Sequence, residues 1–381
     1  MNPLRLACVT VLTALIGAGC APREPLPAPG AEELPPLPAV QPLEGVPADT
    51  VPAPPVTPRP RPAPRATAAA ARWVQRAPLT ERRTEVSATT DGQYVYLAGG
   101  FGPPQGEERA TAPRTLWRYD PQADGWTALT QIPQGVHHTA FVHLNNRLYL
   151  LGGFRETSFD PVGNVRIYDL ASGQWSEGAP MPTPRGAIGF AVLEGRIHLV
   201  GGNAAGPGAV HDHEGAAITE DRSVNTHEAY DPATDTWQRL APMPTPRNHL
   251  GAAAFYGRIH AVAGRANGNM EMTVHEIYDP ATNSWSAGPA VPTGRSGIAV
   301  LAHDGFMYVF GGERFGDDPK TFDEAERFDP RGSRWESLPP MPTARHGLGA
   351  AAIGTSIYVV SGGPQPAFHF SAANERLDLG R

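Results

Sequence analysis

Cysteine is almost absent from this 381-residue chain: only Cys8 and Cys20 occur, both in the first twenty residues. Everything after Cys20 lacks a thiol, which excludes disulfide stapling, cysteine nucleophiles and cysteine-ligated metal from the body of the protein. Excess positive charge is lacking too, with a formal net charge of −7 and an isoelectric point near 6.0. A general nucleic-acid binder needs a concentrated positive field, so nucleic acid is not an expected partner. The sequence also has no Gly-rich nucleotide-binding loop, no G-x-S-x-G elbow and no H-E-x-x-H pair.

Turn-formers, by contrast, are abundant. The 42 glycines and 42 prolines exceed one residue in five. That composition suits many short strands joined by many turns.

The first twenty residues, MNPLRLACVTVLTALIGAGC, carry one positive charge at Arg5, then an uncharged, mostly apolar stretch ending in small residues. The stretch is short for a membrane span and has the layout of a secretory signal. Its end, IGAGC, resembles a bacterial lipobox, although Gly17 stands where that motif usually has Leu. The resemblance implies that residues 1–19 are removed and that Cys20 becomes the lipidated first residue. With Ala21 behind the cysteine, it further implies delivery to the periplasmic face of the outer membrane or the cell surface. Cleavage by an ordinary signal peptidase, releasing a soluble exported protein, is the alternative. Membrane contact is expected only through the N-terminal lipid. Residues 21–65 hold 16 prolines and no aromatic residue. Such a segment cannot bury enough apolar surface to fold and reads as a semi-extended spacer of about 3 Å per residue. Residues 20–72 are therefore expected to be a disordered Pro-rich tether, and 73–381 a folded body.

The heptapeptide APMPTPR stands at 179–185 and again at 241–247. So Pro-rich a tract must be a connection, and a repeated connection implies repeated neighbours. Tryptophans recur at Trp73, Trp126, Trp175, Trp237, Trp285 and Trp335. Apolar runs end in glycine pairs at 99–100, 152–153, 201–202, 311–312 and 362–363, with Ala263-Gly264 in the fourth repeat. Seven residues before each Trp from Trp126 onward stands Tyr119, Tyr168, Tyr230, Tyr278 or Phe328, each followed by Asp. One unit reads as four short strands: GAAAFYGR, then RIHAVAG, then a variable loop, then two strands around the turn in THEAYDPATDTW.

The Gly pair, the Tyr-Asp, the spaced Trp and a period near 50 together resemble the kelch family of β-propellers, in phase over residues 73–381. The resemblance implies an all-β, six-bladed propeller. The last unit, ending NERLDLGR, lacks an outer strand, while RWVQRAP at the start is an outer strand without a blade. Pairing them would close the ring and remove two exposed edges. The repeated Trp, Tyr and Gly read as framework.

In a four-stranded meander the loops joining the second and third strands (b–c) share a face with those joining one blade to the next (d–a). Ten residues after Trp stand Arg83, Arg185, Arg247, Arg295 and Arg345, with Val136 followed by His137 and His138 in the remaining repeat. These five arginines are expected to ring the mouth of the central channel, beside Arg82, Asn248, His249 and His346. A positive ring suits carboxylates and other anions. In peptide-binding kelch propellers the matching arginines contact acidic side chains, which the resemblance extends to these five positions. Framework bonding to a neighbouring blade is the competing reading for each.

The b–c loops offer further candidates in Phe101, Phe154, Arg155, Arg265, Arg314 and Phe315, a composition typical of recognition hot spots. The longest loop, Asn203 to Thr226, contains His211 and His213, weak candidates for a metal; no cofactor is otherwise expected. Trp117 replaces the Arg166, Glu228, Glu276 and Glu326 of other repeats, and Glu81 departs from the repeat on its own.

Copper-radical oxidases built on kelch propellers need a cysteine cross-linked to tyrosine, which this body cannot supply. Exported sialic-acid mutarotases of the same class would need an acid–base pair beside an anion-holding Arg, and here only histidines offer themselves at the mouth. The leading expectation is a noncatalytic, envelope-tethered recognition propeller for an acidic peptide, a protein segment or an anionic glycan. A sugar epimerase or mutarotase is the alternative.

Overall fold

The computed structural model describes residues 71–106, 110–204, 222–266 and 269–380. The proposed signal, the lipidation site Cys20, most of the tether, and His211 and His213 lie outside these residues. Among the described residues there is no helix long and apolar enough to cross a membrane.

Six four-stranded antiparallel sheets follow one another along the chain. Blade 1 runs Ser87–Thr90, Val95–Ala98, Thr115–Asp120 and Gly125–Gln131. Blade 2 is Ala140–Leu144, Arg147–Leu151, Val165–Asp169 and Gln174–Gly178. Blade 3 is Gly189–Leu193, Arg196–Val200, His227–Asp231 and Thr236–Arg239. Blade 4 is Gly251–Phe255, Arg258–Val262, His275–Asp279 and Ser284–Ala287. Blade 5 is Ala299–His303, Phe306–Phe310, Ala325–Asp329 and Arg334–Ser337. Blade 6 takes Gly349–Ile353, Ser356–Val360 and Asn374–Asp378 from the C-terminal end and Arg72–Gln75 from the N-terminal end. Its register, Trp73 opposite Leu377, is the closure expected from the incomplete units.

Blades pack face to face through apolar side chains, as where Tyr149, Leu151 and Ile188 meet Ile197 and Tyr230. The repeated polar residues stitch the outer strands. Trp237 donates from Nε1 to Ala179 O of the preceding connection at 2.8 Å, and Trp285 does the same to Ala241 O at 2.8 Å. Tyr230 donates to Asp235, whose carboxylate also accepts the Ala179 amide. A buried indole or phenol needs such a partner, so the Trp and Tyr positions repeat together.

Two blade interfaces contain paired imidazoles. His198 Nδ1 lies 2.9 Å from His227 Nε2, against Tyr278 and Trp285 of the next blade. His260 Nδ1 lies 2.9 Å from His275 Nε2, against Phe328 and Trp335. His275 Nδ1 is 3.0 Å from Pro289 O and must donate to it, so Nε2 accepts from His260 and both rings are neutral. Burial pushes His198 and His275 down to about 4, and His227 and His260 to about 3.

These four depressed values set an acid limit. The unfolded chain takes up a proton at each histidine as pH falls through about 6.5, while the folded chain does not until about pH 4. The stability is therefore complete above about pH 6.5 and is lost as pH falls toward 4, by up to about 1.4 kcal/mol per pH unit for each histidine. Urea midpoints taken from pH 7.5 to 4.5 should decline across this window. A flat midpoint would mean that the imidazoles are charged in the folded state.

Candidate functional site

The d–a and b–c loops do converge on one face, where they pair through short bridges. Arg185–Gly186 pairs with Asn203–Ala204, and Val136–His137 with Phe154–Arg155. Isolated bridges join Thr84 to Phe101, Asn248 to Arg265, Ser296 to Glu313 and His346 to Gly363.

The arginines sit in this layer, but not as a ring of free cations. Arg83, Arg185, Arg247, Arg295 and Arg345 are each 0% exposed and point into the blade their loop enters. Arg247 donates to Ala263 O, Ala261 O and Thr245 O at 2.9–3.1 Å and to Glu276 at 2.5 Å. Arg185 does the same with Glu228, Arg295 pairs with Glu326 and Arg345 with Glu375. The main chain of the same residue faces the other way. The carbonyls of Arg185, Arg247, Arg295 and Arg345 accept the second-glycine N–H of the preceding blade, and Gly362 N–H reaches Arg83 O to close the circle. Each arginine thus clasps two strands of one blade with its side chain and links the blade before it with its backbone. Its charge is spent on a buried carboxylate, which corrects the expectation that these five residues contact a ligand.

Of the two irregular repeats, blade 1 keeps the arginine–acid pairing by exchange and blade 2 does not. In blade 1 the strand position of the acid is Trp117, and Arg83 instead pairs with Glu81, which takes the place of Thr183 and Thr245 and also accepts the Trp117 indole N–H. In blade 2 the arginine becomes Val136 and the acid becomes Arg166, whose NH2 meets Gln134 at 2.6 Å.

Immediately beyond the arginines, six residues form the rim: Glu85, His138, Ala187, His249, Gly297 and Gly347, all with φ between 50° and 65°. Each is linked to the next by an N–H···O bond of 2.8–3.2 Å, and Val86 N–H to Gly347 O completes the belt. A left-handed conformation is unfavourable for a residue with a Cβ, yet four of the six are not glycine. Gly347 is required, because a Cβ there would lie 2.6 Å from Glu85.

On this rim the predicted His137, His138, Asn248, His249 and His346 come together, joined by three residues of which two went unnoticed as site candidates. Glu85 lies 3.1 Å from His138 Nε2 and 3.0 Å from His346 Nδ1. Glu313 lies 3.2 Å from His346 Nδ1 and 2.8 Å from Arg265 NH1. Arg265 NH2 is 2.8 Å from His249 Nε2, and His249 Nδ1 meets Asn248 Oδ1. Burial, with Arg265 adding to it, holds His249 well below its ordinary value; burial and the surrounding imidazoles do the same to His138. Burial also opposes charge on His346, but the Glu313 and Glu85 carboxylates outweigh it and hold that imidazole above its ordinary value.

Aromatics cap the network. Phe101 lies 3.9 Å from the His137 ring, with Phe154, Phe159 and Phe368 around it at 5.2–6.1 Å. Phe101, Phe154 and Arg265 are buried, correcting their reading as exposed contacts, whereas Arg155 is exposed and Arg314 and Phe315 are half-buried. Below the rim the channel narrows to a cavity of about 110 Å³, lined by small residues such as Ser87, Thr139, Gly189, Gly251 and Gly349.

Six blades closed by a strand from the opposite terminus, with their connections gathered on one face, define a β-propeller of repeated units. The chain carries kelch repeats: residues 136–182 match the Kelch motif and 214–363 the KLHDC2/KLHL20/DRC7 Kelch-repeats domain. It is 28% identical over 192 residues to Kelch-like protein terF of Aspergillus terreus, covering 49% of this chain and 40% of that protein. It is 25% identical over 193 residues to Kelch-like protein 35 of Mus musculus, covering 51% of this chain and 29% of the mouse protein. The chain thus spans less than half the length of these curated relatives.

If the arginine clasp is structural, Arg247→Ala leaves Glu276 buried and uncompensated. It should cost about 3–5 kcal/mol in urea denaturation, against less than about 0.5 kcal/mol for exposed Arg82→Ala. Equal effects of the two changes would remove the clasp from this account.

Proposed function

We propose that the chain is an exported, noncatalytic recognition propeller that binds a protein segment on the face where its b–c and d–a loops converge, with acidic side chains favoured. The observation that carries this reading is the small size of the channel cavity. A small-molecule site commonly needs about 300–1,000 Å³. The channel here holds about 110 Å³ behind a rim whose polar groups are bonded to one another. A carboxylate does lie beside an arginine, Glu313 against Arg265, but without the deep pocket that a sugar mutarotase requires. Recognition then falls to the outer surface of the loops. Half-buried Phe159, Phe315, Phe368 and Phe370 stand there beside Arg155 and Arg314, and Arg82 is exposed on a d–a loop. Aromatic and arginine side chains in this setting are the usual anchors of a protein interface.

The proposal extends to location. Residues 16–20 resemble a lipobox, so the propeller would hang from a lipid on Cys20 by the Pro-rich tether, at the periplasmic face of the outer membrane or on the cell surface.

The test uses the full chain in detergent as bait in an envelope extract of the source organism, with cross-linking. Three baits are compared at matched thermal stability: wild type, a Phe159→Ser/Phe368→Ser/Arg155→Glu variant, and Tyr256→Ala, which alters the opposite face where Tyr256 is 52% exposed. A partner kept by wild type and Tyr256→Ala but lost by the triple variant is the expected result. A partner lost only with Tyr256 would move recognition to the other face. Recovery of a monosaccharide converted by the wild-type chain would replace binding by catalysis.

A further inference from the structure

The hydrogen bonds around the rim determine where its protons sit. His137 Nε2 is 2.7 Å from Ser158 O, a pure acceptor, so Nε2 carries the proton and Nδ1 a lone pair. His138 Nδ1, 2.5 Å from that lone pair, must donate to it, which leaves His138 Nε2 as a lone pair aimed at Glu85. On the other side His346 Nε2 is 3.1 Å from Ala367 O and donates there, leaving Nδ1 toward Glu85 and Glu313. His346 is 1% exposed, and neither carboxylate meets Nδ1 with hydrogen-bond geometry, so that nitrogen has no hydrogen-bond partner. Two imidazole nitrogens and two carboxylates therefore face one another in a buried space. The paired carboxylates call for a positive charge among them, either a proton on His346 Nδ1 or a metal ion.

We propose that Glu85, Glu313 and His346 form a divalent transition-metal site, best suited to zinc, at the rim of the channel. The ligand atoms of these three residues all lie within 4.8 Å of one another, and Glu85 also belongs to an overlapping group with His138 and His249. The separations of 3.0 Å from Glu85 and 3.2 Å from Glu313 to His346 Nδ1 match the spacing of about 3.3 Å between tetrahedral donors on bonds of about 2.0 Å. Imidazole and carboxylate donors suit zinc among first-row ions. The outer groups are in place as well. The Ala367 carbonyl orients the His346 ring, and Arg265 holds Glu313 Oε1 at 2.8 Å so that Oε2 faces His346. His249 stays outside the ligand set because its Nε2 accepts from Arg265.

The ligands come from the connections entering blades 1 and 6 and from the b–c loop of blade 5. The ion would bridge both sides of the seam where the two chain ends meet, a staple in a body without cysteine. It stands apart from the binding reading, since the loop surface could receive a partner with or without it.

The experiment is elemental analysis and zinc titration of the full chain after stripping with chelator, compared with Glu85→Gln, His346→Ala and the loop variant His211→Ala/His213→Ala. One zinc per chain is expected, with a raised melting temperature, affinity lowered at least tenfold in Glu85→Gln and His346→Ala, and no change in the loop variant. Cobalt replacement read by absorption, with X-ray absorption on wild type, gives an arm that does not depend on the variants folding. One imidazole and oxygen donors near 2.0–2.1 Å are expected there. Failure of stripped wild type to bind zinc or cobalt stoichiometrically, or binding lost only in the loop variant, overturns the proposal.

Discussion

In five of the six blades one arginine does two jobs at once, and the ring depends on both. Its guanidinium is sunk beneath the loop and bonded to the ends of strands b and c of its own blade, ending on a buried glutamate. Its carbonyl accepts an N–H from the blade before, at the second glycine of the pair. That approach explains the glycines: a Cβ on Gly201 would lie 2.6 Å from Arg247 O, and one on Gly311 would lie 2.3 Å from Arg345 O. The Pro-rich heptapeptide, the glutamate and the glycine pair are thus one device seen at three places in the sequence. A planar fork with several donors is suited to the inner clasp, which a lysine could not reproduce.

The exceptions show that the constraint is chemical rather than positional. Blade 1 exchanges the Thr and Glu of the other blades for Glu81 and Trp117, so the acid moves to the loop and still meets Arg83. Blade 2 gives up the clasp, sets Arg166 against Gln134, and keeps only the backbone link through Val136 O. A buried charge is tolerated where its partner is near, from whichever strand or loop it comes. In blade 6 Ser361 takes the place of the first glycine, also at positive φ, and Arg345 bonds to its carbonyl at 2.6 Å.

The sequence carried the architecture in full because periodicity reports covalent order directly. Blade number, the closing strand and the shared face of the d–a and b–c loops all follow from counting. It did not carry the direction of the arginine side chains. An Arg after a Pro-rich loop can turn toward the channel or into the blade, and in four blades the acid 29–43 residues later in the chain decides between them. The repeated Glu228, Glu276, Glu326 and Glu375 held that signal, since a recurring acid in phase with a recurring base marks a pair. Glu85 and Glu313 escaped for the opposite reason: neither recurs. Each occupies a place where the other blades have different residues, Glu85 beside His138 and His249 on the rim, and Glu313 in register with Arg265 on the loops.

That contrast separates framework from function within one ring. Where six-fold repetition is kept, the residue closes or packs the propeller. Where it breaks, the chain has placed Glu85, His138, His249, Arg265, Glu313 and His346 against one another, three of them in a backbone conformation better suited to glycine. Strain of about 1 kcal/mol or more at each such residue persists only where the surroundings hold it. Here they do, through the belt of backbone hydrogen bonds and the arginine clasps behind it. The clasps withdraw the expected positive ring from solvent, and the same rigidity holds an asymmetric cluster of imidazoles and carboxylates across the channel mouth.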